Sequence, residues 1–143
     1  MNQDIYERVK GLAVEIMNAS EIENTKQYWV VYQELEKVCL ENERGEANHP
    51  FQWETLGDFT TDNKAALNIY KKAIEFAESL NLNEYVASVK LAMAERYIEL
   101  GSYEEAFKVA SQANEIAKEL NDLELRKEIG EFLLNESNRS KNT

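Results

Sequence analysis

The sequence predicts an all-α fold of about seven helices, arranged as antiparallel helical hairpins that stack on one another. Five Gly and one Pro in 143 residues are too few for a loop-rich β fold, while 43% hydrophobic and 30% charged residues suit a globular chain. Apolar residues also recur at three- and four-residue steps along most of the chain. Finally, residues 97–106 read as a helix end, a tight corner and a new helix. There Gly101 supplies the left-handed conformation that ends a helix, and Ser102 with Glu105 forms a capping box for the next.

The first helix is expected over about 3–18, where Ile5, Val9, Leu12, Ala13 and Ile16 make one stripe. Ser20 and Glu23 form a second capping box, so the second helix starts at about 21 or 25 and runs to 43. Tyr28, Tyr32, Leu35 and Cys39 share one side of it, and Trp29 is rotated about 100° from Tyr28. With Val30, Val31 and Val38 the apolar arc is wide, so this helix either sits between two neighbours or exposes part of itself. Residues 43–49 lack periodicity and form a loop. Pro50 suits the first turn of a short third helix reaching about Leu56, because its missing N–H is not needed there.

Residues 57–61 are expected as another corner, with Asp62 capping a fourth helix over about 63–80. That helix buries Ala66, Leu67, Ile69, Tyr70, Ala73, Ile74, Ala77 and Leu80. A fifth (about 84–100) offers Val86, Val89, Met93, Tyr97 and Leu100, and a sixth (about 103–120) offers Tyr103, Ala106, Phe107, Val109, Ala110, Ala113, Ile116, Ala117 and Leu120. A seventh, over about 122–136, caps the array through Leu125, Ile129, Phe132 and Leu133, and residues 137–143 form a frayed polar tail. The whole is one domain: a divergent hairpin over 1–45, a repeat region over 50–120 and the capping helix.

An offset of 40 aligns Ala66 with Ala106, Ala73 with Ala113, Glu75 with Glu115, Ala77 with Ala117, Leu80 with Leu120 and Asn81 with Asn121. A fixed offset of this size marks stacked hairpins, each burying its face against the next. Alanines recur because larger side chains would hold neighbouring helices apart.

Ala94, Tyr97, Leu100, Gly101, Tyr103, Ala106 and Ala113 occur in the order and spacing of the tetratricopeptide repeat, and residues 87–120 resemble that family. Leu56, Gly57 and Phe59 look like a second such corner with longer spacing before Ala66, and 1–45 carry no repeat signature. The resemblance implies a short α-solenoid. It leaves open a regular superhelix or a compact bundle. It also implies a concave surface built from alternate helices, to which the fifth would present Ser88, Leu91, Glu95 and Ile98. The Lys/Asn clamp with which some members grip a C-terminal carboxylate is missing from those positions.

Asp and Glu outnumber Lys and Arg by 27 to 16, for a net charge of −11. Such a chain repels nucleic acids and anionic membranes and favours a basic protein partner. A single cysteine, Cys39, fits a reducing compartment, and an acidic N-terminus with no apolar run of about 18 residues predicts a cytoplasmic protein.

Catalytic constellations are not signalled. His49 is the one histidine, expected in a loop or capping role, and neither phosphate-binding glycine motif occurs. No cofactor, metal or enzymatic activity is expected. The densest set of interface anchors is aromatic: Tyr28, Trp29 and Tyr32 with Phe51 and Trp53. Trp29 has the angular position best suited to exposure. By analogy, a small, acidic, single-domain chain of this kind resembles bacterial immunity proteins that neutralise a cognate toxin domain by occlusion. A regulatory or scaffolding module that recognises a peptide or assembles a complex is the alternative.

Overall fold

In the computed structural model, whose described residues are 1–141, seven helices follow one another: α1 (Gln3–Glu21), α2 (Thr25–Glu41), α3 (Pro50–Phe59), α4 (Asn63–Ser79), α5 (Asn83–Glu99), α6 (Tyr103–Ala117) and α7 (Leu123–Lys141). No strand occurs among the described residues. Each helix packs on the next in sequence, and α3 also touches α1 and α5. This is a stack of helical hairpins.

Three of the corners share one backbone design. At α1/α2 the N–H groups of Ile22, Glu23 and Asn24 bond to the carbonyls of Asn18, Ser20 and Ala19. Leu80, Asn81 and Leu82 repeat the pattern on Phe76, Glu78 and Ala77, and Leu100, Gly101 and Ser102 repeat it on Arg96, Ile98 and Tyr97. Each set satisfies the last free carbonyls of a helix through one left-handed residue, at φ 56° for Glu23, 57° for Asn81 and 76° for Gly101.

The α6/α7 corner differs. Glu119 and Leu120 bond back three residues, to Ile116 and Ala117, and Asn121 is not left-handed although it aligns with Asn81. There the Asp122 carboxylate caps α7 by accepting the Leu125 N–H at 3.0 Å.

Other starts depart from the expected boxes. Ser20 lies inside α1, and α2 is capped by Asn24, whose side chain accepts the Gln27 N–H. Left-handed Glu23 cannot serve a capping box. Ser102 does stand at the N-cap of α6, but its side chain makes no capping bond. Asp62 caps α4 as expected, accepting from Ala65 at 2.9 Å. Towards the C-terminus α7 runs on to Lys141, past the expected start of a tail at 137, and the last two residues lie outside the described part.

Gly57 is the larger correction. It belongs to α3, which extends to Phe59, and it is buried. A Cβ there would stand 2.5 Å from Cε1 of Tyr70, so the missing side chain lets α4 lie against α3. The corner itself is made by Thr60, whose hydroxyl donates to the Leu56 carbonyl.

One large core joins Val9, Ile16, Val31, Leu35, Cys39, Trp53, Leu56, Tyr70, Val89 and Met93 across α1 to α5. Two smaller ones tie α5, α6 and α7 through Ala87, Leu91, Ala113 and Ile129, and through Ala94, Ala106 and Ala110. The repeat-aligned alanines 66, 73, 77, 106, 113 and 117 are all buried. Leu80, Leu100, Tyr103 and Phe107, expected inside, are exposed. The two leucines stand where the chain turns away from the core. Tyr103 and Phe107 lie one turn apart on a flank of α6 beside its buried alanine stripe.

Candidate functional site

Trp53, Leu56 and Gly57 turn one side of α3 into the core, which leaves Glu54 and Asp58, one turn apart, on the side facing out. Glu84, Ser88, Glu95 and Glu99 do the same on α5, and Glu124 and Glu128 on α7. These faces border two clefts, α7 lining only the first.

The first, of about 360 Å³, is lined by Glu54, Tyr85, Ser88 and Leu125 with Glu84, Asp122, Glu124 and Glu128. Its lining holds five carboxylates and no cation. The Ser88 hydroxyl donates to Glu54 Oε2 at 2.6 Å and links α5 to α3. Burial pushes the Glu54 carboxyl up to about 7; the Ser88 hydrogen bond opposes this, and nearby Asp58 adds to it.

The second cleft, of about 420 Å³, lies between Asp58 to Thr61 at the end of α3 and Ala92, Glu95, Arg96 and Glu99 on α5, with Tyr28 and Tyr70 in its walls. Asp58 Oδ1 accepts the Tyr70 hydroxyl at 2.6 Å. Its carboxyl is raised by burial, against the pull of Tyr70 and Arg96. Glu95 is raised by burial first and then by Asp58, Glu128 and Glu99, so the acidic groups of α3, α5 and α7 feel one another.

Arg96 is the one cation in the lining of the second cleft. Its guanidinium donates to Asn63 Oδ1 at 3.1 Å and to the carbonyls of Gly57 and Asp58 at 3.0 and 3.3 Å. It therefore serves the C-terminal end of α3, where the helix dipole favours a positive charge. Chemically the arrangement offers clustered carboxyl groups beside aromatic and aliphatic walls, which suits lysine and arginine side chains.

The aromatic candidates divide. Trp29 is 42% exposed, with its ring edge-on to Tyr28 and Tyr32 at 5.7 and 5.6 Å. Those two tyrosines are half-buried and fasten α2 to the α3/α4 corner: Tyr28 donates to the Phe59 carbonyl at 2.6 Å, and the Tyr32 and Thr60 hydroxyls share a 2.8 Å bond. Phe51 packs on Tyr6 at 4.8 Å. Trp53 is only 2% exposed, with its N–H on Asn48 Oδ1 and Lys72 over its ring. Core burial removes it from any partner surface.

Of the α5 candidates, Glu95 is exposed in the second cleft and Ser88 lines the first. Leu91 is 7% exposed and packs towards α6 and α7, and Ile98 is half-buried against the cluster of Ala94, Ala106 and Ala110. Both sit on the flank of α5 turned to its neighbours. Sequence reasoning missed Glu54, Asp58, Tyr85 and Glu128. A signal existed in the four-residue spacing of Glu54/Asp58 and Glu124/Glu128 opposite the apolar stripes.

His49 takes the capping role, its Nδ1 accepting the Phe51 N–H at 3.1 Å, and burial lowers its pKa. Cys39 is buried, its thiol donating to the Gln52 carbonyl at 3.3 Å. Among the described residues no group of three or more His, Cys, Asp or Glu could hold a metal ion, and no helix is long and apolar enough to cross a membrane. No protein-family model, curated protein or solved structure matches the chain.

Proposed function

We propose that this chain is a protein-binding protein that occludes a basic surface of its partner, acting through contact and without catalysis. The observation that carries this reading is a pair of carboxylate-rich clefts, one between α3, α5 and α7 and one between α3 and α5, whose one lining cation, Arg96, is engaged with α3. Unneutralised charge of one sign accelerates capture of a partner of the other sign. The biological setting that fits is an immunity protein neutralising a basic toxin domain in the cytoplasm, built on a tetratricopeptide-like stack. The test is co-purification from the native cell with mass spectrometry, followed by inhibition of the captured protein. A basic toxin domain whose inhibition is lost with Glu54→Gln, Glu95→Gln and Glu128→Gln together supports the reading. A partner held equally well by that triple variant defeats it.

Exposed Trp29 on its two anchored tyrosines favours a second reading, a regulatory or scaffolding module that uses the α2 face. In that case Trp29→Ala, and not the carboxylate variants, abolishes binding.

A further inference from the structure

α7 closes the stack, and only one of its sides is covered. Leu125 and Ile129 are buried there, with Phe132 and Leu133 packed beside them against α5 and α6. On the opposite side Leu123 is 72% and Leu134 61% exposed, and Lys127, Gly130 and Glu131 between them are exposed as well. Steps of four, three and four residues place Leu123, Lys127, Gly130 and Leu134 in one outward stripe. Gly130 is its telling member. Glycine weakens a helix interior, yet a Cβ here would meet no atom within 4 Å, so packing within the chain does not call for it. On an outward face a glycine lets a second backbone approach closely. We propose that this stripe is where a second copy of the chain docks, antiparallel, about a two-fold axis beside Gly130. The inference does not depend on the occlusion reading above.

The charges select the occupant. Lys127 and Glu131 stand one turn apart on the same flank of the stripe, Nζ to Oε1 at 3.9 Å, and in an antiparallel helix pair like flanks meet. A two-fold centred at residue 129 sets Lys127 of each copy against Glu131 of the other. The same axis puts the two Gly130 residues at the crossing and brings Leu123 within one residue of register with Leu134. The face is therefore complementary to itself in both charge and shape. Two chains of net charge −11 repel one another, so a face for self-docking must lack that acidic excess; this stripe carries one lysine and one glutamate. Gly11 on α1 makes the contrast. It also stands in open space, but Glu7 and Glu15 lie one turn to either side, so a two-fold there would set carboxylate against carboxylate. A single pair of short helices buries less than the roughly 1,200 Å² at which stable complexes begin, so the dimer is weak and forms as the concentration rises.

Sedimentation equilibrium of the whole chain tests this. The average mass should climb with concentration towards twice that of one chain. Lys127→Glu and Glu131→Lys should each hold it at one chain, and an equimolar mixture of the two variants should recover the larger mass, because each supplies the charge the other lacks. Gly130→Leu should abolish the climb while the melting temperature of the dilute chain stays as high or rises. A single-chain mass at every concentration overturns the proposal, as does a mixture of the two charge variants that stays single. A dimer that survives Gly130→Leu, or that Trp29→Ala removes, forms through another face and overturns it too.

Discussion

Gly57 and Tyr70 are matched as gap and filler: the ring of Tyr70 occupies the place where a Cβ on residue 57 would be, 2.5 Å from Cε1. Tyr70 cannot retreat cheaply, since it is buried and its hydroxyl is held by Asp58. Gly57→Ala is expected to destabilise the chain by about 1–3 kcal/mol through overpacking, despite the better helix propensity of alanine. Thermal unfolding checks this, and a raised melting temperature would show that α3 and α4 can part without cost.

The shared corner design makes a prediction of the opposite sign. Glu23 adopts φ 56° with a side chain, where Gly101 adopts φ 76° without one. Glu23→Gly should stabilise by about 1 kcal/mol and Gly101→Ala should destabilise by a similar amount. Chemical denaturation of the two variants reads both.

At Ala106 the neighbouring helices leave no room. The residue is fully buried in the small core with Ala94 and Ala110. Ala106→Leu should cost about 1–3 kcal/mol. An unchanged melting temperature would contradict close packing between α5 and α6.

Acid should stabilise the cleft. Folded Glu54 keeps its proton up to about pH 7, against 4.5 for a free glutamate. Between those limits the folded chain holds more protons than the unfolded one, so this contribution is complete below about 4.5 and lost as the pH rises to about 7. Asp58 and Glu95 are raised too and act in the same direction. Melting temperatures should fall across that window, and Glu54→Gln should flatten part of the fall.

The all-α class, the helix count and the buried alanine register were legible because they rest on composition and period, which act locally and repeat. Asp62 and Pro50 were legible for the same reason: a cap and a first-turn proline need only their own helix. Gly57 was not, because its role depends on Tyr70, thirteen residues away across a helix contact. Glu23 misled because a serine and a glutamate three apart look like a helix start, while the better acceptor, Asn24, lay one residue on. The clefts were illegible for a further reason. Acidic residues crowd this chain, and only the packing of α3, α5 and α7 selects the few that face one another.

The thiol of Cys39 has a practical use that follows from its setting. Sealed between α2 and the Gln52 carbonyl, and pushed up to about 12 by burial, it is unreactive while the two helices stay together. Alkylation of this single thiol therefore counts the moments at which α2 lifts away, giving the chain a built-in clock for its breathing that requires no added label.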